Sequence, residues 1–313
     1  MLAKLSLPLM CAPMSFASSV PLATACCRAG IIGGWQGGTA TSDEIFTDYV
    51  TALEGIESGP PIVNLPARWA VDPAAADRIA MLERARVPLV LSSVGDPSAL
   101  VERVHGWSGR IIHDVTTMKH AEKAIAAGVD GLMLTCSGAG GHTGFLTPMA
   151  FVPAVRKTFA GMLIVAGGIA DAHGIAAALA LGGDIACMGT RFIATPESGV
   201  VEGHRFMIPD VGVDDIVASA AMNGVPAHWM RQSIEAVGLD PTTLPGVRSP
   251  MPQGVKPWRD IWSAGQSVGL IDSVEPVADL VARLTREFEA LPAIPDWRAR
   301  ISAIASGWDW HNV

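Results

Sequence analysis

The sequence predicts a (β/α)8 TIM barrel with a helical cap insertion after strand eight, and three observations carry that expectation. Short apolar runs bounded by turn residues recur eight times, at 7–12, 30–34, 61–65, 88–93, 110–114, 131–135, 162–166 and 184–188. Between them lie segments of helical periodicity, such as TMKHAEKAIAA at 117–127 and the stretch 175–181, several closing on a glycine that can take positive φ. Half of the residues are hydrophobic and only 17% are charged, which suits a parallel sheet buried on both faces. An open doubly wound sheet shares the local pattern, but eight units in succession favour closure. The length, 313 residues, is that of one barrel of ~250 residues with insertions.

The first unit, CAPMSFASSVPLATACCRAGIIGG at 11–34, reads as the end of strand one, a helix and strand two. The sixth strand ends in the most informative stretch, GLMLTCSGAGGHTG at 131–144. Here Gly138, Gly140 and Gly141 form a turn of little side-chain bulk that presents His142 at the carboxyl edge of the sheet. Two further glycine turns follow one unit apart, in MLIVAGGIAD (162–171) and DIACMGTRF (184–192). In such barrels the loops after strands seven and eight commonly bind phosphate through backbone N–H groups, and Gly167, Gly168, Gly189 and Thr190 fit that duty.

After Arg191 the rhythm stops. Residues 198–257 read as a helical segment followed by a proline-rich one, whose last part with Trp258 is LDPTTLPGVRSPMPQGVKPW. The expected organisation is a barrel from 1–197 and 258–313, with 198–257 as a helical cap over the mouth, where substrate enters. The chain then returns through 262–265 and an amphipathic helix at 274–291 that closes the outer ring.

Composition narrows the function. A net charge of −8 gives nucleic acid no general electrostatic attraction. No uninterrupted apolar run approaches the ~20 residues of a membrane span, and Pro8 and Pro13 break up a start that superficially resembles a secretion signal. Five cysteines without C-x-x-C spacing point to a reduced, cytoplasmic setting and to packing roles. No histidine pair has metal-ligand spacing, so no metal is expected. His142 can act near neutral pH as a base or a hydrogen-bond donor. His113, beside Asp114 at the end of strand five, reads equally as a group near a ligand or as a satisfied half-buried histidine. Trp35 and Phe145 are candidate pocket walls, and Trp229 a candidate substrate contact from the cap. Trp258 and Trp262 read as lining or packing the cap interface.

Three turns, AGGHTG, VAGGIAD and CMGTRF, together with A-P-M after strand one, resemble the signatures of the nitronate monooxygenase family, formerly called 2-nitropropane dioxygenases. The resemblance runs from 11–34 to IWSAGQSVGLI at 261–271. It implies an FMN barrel, with Ala12, Pro13 and Met14 near the flavin ring and Asn64 on its polar edge. Thr135, Gly140, Gly141, Gly167, Gly168, Met188, Gly189 and Thr190 would lie toward ring and phosphate, and His142 would be the active-site histidine. The sequence departs from the pattern at Thr135 and Cys187, where relatives often carry Gln, and at Asp114, where they carry Lys. The implied reaction is oxidation of an alkyl nitronate by FMN and oxygen to a carbonyl compound and nitrite. The partners are then a small-molecule substrate and oxygen; a homodimer is compatible, and neither nucleic acid nor membrane is expected. An alternative is an NAD(P)H-dependent reductase of a quinone or enoyl thioester, with NAD(P)H as co-substrate. A more remote one is a flavin-binding protein without turnover.

Overall fold

A computed structural model describes residues 2–53 and 55–292. Eight parallel strands close a barrel in the expected order. They are β1 (Leu9–Cys11), β2 (Ile32–Trp35), β3 (Pro61–Pro66), β4 (Leu89–Ser93), β5 (Arg110–Val115), β6 (Gly131–Thr135), β8 (Met162–Ala166) and β9 (Ile185–Met188). Pairing of Leu9, Met10 and Cys11 with Ala186, Cys187 and Met188 seals the cylinder. Because side chains alternate across a strand, each apolar run fills two layers. Met10, Ile32, Ile62, Leu89, Leu91, Ile112, Met133, Ile164 and Ile185 fill the barrel interior. Their neighbours, among them Leu9, Val63, Val90, Ile111, Leu132, Leu163 and Val165, face the helices. This two-sided burial explains why the strands read as continuous apolar runs.

The outer ring comprises α1 (Val20–Arg28), α2 (Asp43–Ala52), α3 (Ala76–Arg84), α4 (Ser98–Gly106), α5 (Met118–Ala126), α6 (Pro148–Arg156) and α7 (Ala172–Ala180). Their starts follow ordinary capping chemistry: Ser19, Thr117 and Asp171 accept the N–H of Leu22, His120 and Gly174. After the short helices α8 (Thr190–Ile193), α9 (Glu202–Met207) and α10 (Arg231–Ala236), the final helix α11 (Val277–Glu289) completes the ring. It buries Val277, Leu280, Val281 and Leu284, one stripe at helical spacing, and packs on α1 and α7. The return at 262–265 is extended chain leading into a 3₁₀ turn at Gln266–Leu270. Residues 293–313 of the expected barrel unit lie outside the described residues.

The excursion at 198–257 is mixed rather than helical, which corrects the expectation of a helical cap. Beside α9 and α10 it contains an antiparallel hairpin, β10 (Ile216–Ser219) and β11 (Ala227–Met230). The hairpin recruits a two-residue strand, β7 (Gly141–His142), from the loop after β6. Its strands are only four residues each, too short for period-two alternation to stand out against a helical reading. This small sheet places His142.

Candidate active site

Above the packed interior, each barrel strand contributes one last inward residue. Seven of these line a cavity of about 300 Å³ at the carboxyl end: Ala12, Asn64, Ser93, Asp114, Thr135, Ala166 and Cys187. The floor is therefore divided. The arc from β3 to β6 is polar, and the arc from β8 to β1 carries only small side chains, leaving room for a flat ligand to lie against it.

On the polar arc, Ser93 Oγ donates to Asn64 Oδ1 (3.3 Å), and Thr135 Oγ1 donates to Asp114 Oδ1 (2.5 Å). Asn64 Nδ2 and Asp114 Oδ2 make no hydrogen bond among the described residues. Burial pushes the Asp114 carboxyl up to about 6, against the opposing effect of the Thr135 hydrogen bond. Next to it, His113 points outward to the helix layer and pairs through Nδ1 with Ser92 Oγ at 2.7 Å. Burial pulls its pKa down to about 4, so it is a neutral, satisfied core histidine.

The glycine turns close over the small-residue arc. Gly167 has φ +132, and a Cβ there would lie 2.8 Å from the Ser137 carbonyl oxygen, so only glycine fits. The N–H groups of Gly168, Gly189 and Thr190, all on the cavity wall, find no acceptor among the described residues. Thr190 is buried and Gly189 half-buried, and donors so placed are nearly always paired; with the exposed N–H of Gly168 beside them, the cluster suits an anionic group. The loops are stitched together from the return segment. Gly265 N donates to Thr190 Oγ1 (2.8 Å), Gln266 N to the Gly138 carbonyl (3.0 Å), and Gly141 N to Ser263 Oγ (2.7 Å).

His142 stands on the cavity rim, exposed on one side. Desolvation by the surrounding protein still lowers its pKa below the ordinary histidine value. Its Nε2 lies 2.9 Å from Asn223 Nδ2, and its ring meets Trp258 edge-on at 5.5 Å. Trp258 and Val94, both lining the cavity, hold positive φ of 71° and 56°, backbone strain of the kind that gathers at functional sites. Among the described lining residues there is neither Lys nor Arg.

Of the sequence-named residues, Ala12, Pro13, Met14, Asn64, Thr135, Gly140, Gly141, His142, Gly167, Gly168, Gly189 and Thr190 all line this one cavity. Four others do not. Met188 is fully buried among residues facing the helices, because strand alternation turns its neighbour Cys187 inward instead. Trp35 is 2% exposed and packs on Phe46 and Tyr49 behind the sheet. Phe145 is 81% exposed and points away from the cavity lining. Trp229 has no exposed surface; it lies beneath Trp258, which forms the wall in its place. The sequence reading missed Asn223, which reaches the site through the hairpin and belongs to no local motif, and Ser263, which lies in the IWSAGQSVGLI stretch of the return segment but was not singled out there.

A parallel barrel with a divided floor, a cradle of free amides and a histidine at the rim is the architecture of a cofactor-dependent enzyme. Residues 62–287 match the model of the nitronate monooxygenase family, and the chain belongs to that family as an FMN-dependent oxidoreductase. A nitronate monooxygenase of Paraburkholderia phytofirmans is 28% identical across 90% of this chain and 92% of its own. A Mycobacterium tuberculosis protein, (3aS,4S,5R,7aS)-5-hydroxy-7a-methyl-1-oxo-octahydro-1H-indene-4-carboxyl-CoA dehydrogenase, is 29% identical across 72% of this chain, and the match spans 64% of that relative's length. Among solved structures, nitroalkane oxidase from Streptomyces ansochromogenes superposes with a TM-score of 0.76 at 25% identity, covering 92% of this chain and 97% of that one. FabK from Thermotoga maritima gives 0.75 at 27% identity and 97% of each chain.

The residues present suit a flavin mononucleotide. The unpaired amides of Gly168, Gly189 and Thr190 offer donors for a phosphate, the small arc leaves space for a planar ring, and Asn64 with Asp114 supplies a polar edge. Among the described residues no helix is long and apolar enough to cross a membrane.

Proposed function

We propose that this enzyme oxidises an alkyl nitronate, with oxygen as co-substrate, to a carbonyl compound and nitrite. The observation that carries this reading is the placement of His142 at the rim, above the glycine turns, in a cavity lined by neither Lys nor Arg among the described residues; the other lining histidine, His204, is buried, paired with the Ser263 carbonyl and held neutral by a pKa of about 4. Bound FMN supplies the two-electron acceptor and, once reduced, the partner for oxygen. The amides of Gly168, Gly189 and Thr190 would hold its phosphate, and Asn64, Thr135 and Asp114 its polar edge. His142 then orients the nitro group and meets its charge, while Trp258 screens that side of the cavity from water. Family membership and the likeness to a nitroalkane oxidase support the reading.

The likeness to FabK and to a carboxyl-CoA dehydrogenase favours a second reading, NAD(P)H-dependent reduction of an electrophile such as an enoyl thioester. The test is oxygen uptake and nitrite release with propyl nitronate. Nitrite formed in proportion to oxygen consumed is expected. No nitrite from propyl or larger nitronates, with turnover of NAD(P)H and an enoyl thioester, would replace the first reading with the second.

A further inference from the structure

We infer that Asn223 fixes His142 as the neutral Nδ1–H tautomer, so that His142 serves as a hydrogen-bond donor to an anionic substrate oxygen and not as the base that deprotonates a neutral nitroalkane. The consequence for substrate rests on the reading of the site given above; the tautomer does not.

The argument starts from the turn between β10 and β11. There Gly224 N donates to the Ala220 carbonyl (2.8 Å), and the turn is tied to the histidine loop by Thr143 N donating to the Pro226 carbonyl (3.3 Å). Asn223 Oδ1 accepts the Val225 N–H at 3.0 Å, which settles which end of the amide is oxygen. Its NH₂ group is therefore the end that faces His142 Nε2, at 2.9 Å. An amide NH₂ can only donate, so Nε2 must be a lone-pair acceptor, and the single ring proton of a neutral imidazole sits on Nδ1.

That Nδ1–H has no acceptor among the described residues. It is the one polar hydrogen the ring can offer a ligand.

Nothing nearby favours the cation. His228 on β11 is committed through Nδ1 to the Ala139 carbonyl (2.7 Å), and Arg259 on the Trp258 loop is bonded to Asp260. Lys256 and Arg248, which border the turn at Met222 and Gly224, are both positive, and burial is the cause of the lowered His142 pKa. Protonating Nε2 would set its new N–H against the Asn223 NH₂. A base needs a free lone pair, and the only one on this ring is occupied. A nitronate needs a donor, and Nδ1–H provides it.

The decisive measurement is the ring-nitrogen NMR spectrum of ¹⁵N-histidine-labelled holoenzyme, with His142 assigned by its loss in H142A. Wild type is expected to show protonated Nδ1 and bare Nε2. In N223D the carboxylate accepts from Nε2–H, which moves the proton, frees the Nδ1 lone pair and raises the His142 pKa by about 1–3. The same variant should raise kcat/KM on a neutral nitroalkane relative to its nitronate by at least ~10-fold, since a base is gained. An Nε2–H tautomer in wild type overturns the inference, and so does an N223D enzyme whose tautomer and pH profile match wild type. Should N223D fail to fold, the wild-type tautomer alone decides. Absence of turnover on any nitronate, with the Nδ1–H tautomer intact, would refute the substrate reading and leave the role of Asn223 standing.

Discussion

Replacing Asp114 by Asn isolates the energetic cost of the polar floor. The carboxyl lies beneath the cavity with one hydrogen bond, from Thr135, and no cation contributes to holding its charge. Its pKa rises from 3.8 to about 6. An acid with a folded-state pKa above its unfolded one binds its proton more tightly when folded, so stability is lost as pH rises between those two values. At 1.36 kcal/mol per pKa unit, the penalty above pH 6 is about 3 kcal/mol. It shrinks to under ~1 kcal/mol near pH 4, where the unfolded chain is also half protonated. Asn keeps the acceptor for Thr135 and carries no charge, so D114N should be more stable than wild type at pH 8 and nearly equal at pH 4. With a urea m value of ~3 kcal/mol/M for a chain of this size, the midpoint at pH 8 should move up by ~1 M. Flavin-free protein is the proper sample, since a bound cofactor adds its own stabilisation. A midpoint difference that is the same at both pH values, or a D114N protein less stable at pH 8, would refute the burial argument.

H142A should keep its flavin, because the free amides lie on other loops, and should lose ~10²–10³-fold in kcat/KM, the cost of removing one preorganised donor. Heat-released chromophore and steady-state rates check both halves, and a variant with wild-type rates would remove His142 from the chemistry. The two contacting tryptophans, Trp229 and Trp258, should separate cleanly. W229A deletes a fully buried ring and its hydrogen bond to the Ser219 carbonyl, so it should cost ~3–5 kcal/mol in urea unfolding and act on substrate only through stability. W258A strips the cavity wall against His142, so its KM should change with substrate size while W229A shows no such dependence. Size-independent KM values in W258A would show that this wall does not select substrate.

The barrel was legible because its signal is local. Apolar runs bounded by turn residues mark all eight strands, and β6 and β8 match the expected bounds to the residue. The cavity-lining glycine turns and the rim position of His142 were legible for the same reason, since each lies in the loop that follows a strand end. What escaped depends on tertiary placement. Residues 187 and 188 are adjacent, yet one lines the cavity and the other the helix layer, a choice made by the strand's rotation. Trp35 is the last residue of β2, whose inward positions, Ile32 and Gly34, leave it facing the helices. Asn223 lies 81 residues from its histidine and is brought there by a short hairpin whose β pattern is weak.

Anaerobic stopped-flow mixing of the oxidised holoenzyme, with propyl nitronate in one syringe load and NADPH or NADH in the other, tests the central claim most directly. The flavin absorbance should bleach with the nitronate at a rate at least equal to kcat, and only slowly with either nicotinamide. Rapid bleaching by NADPH or NADH, with no reduction by the nitronate, would contradict the account.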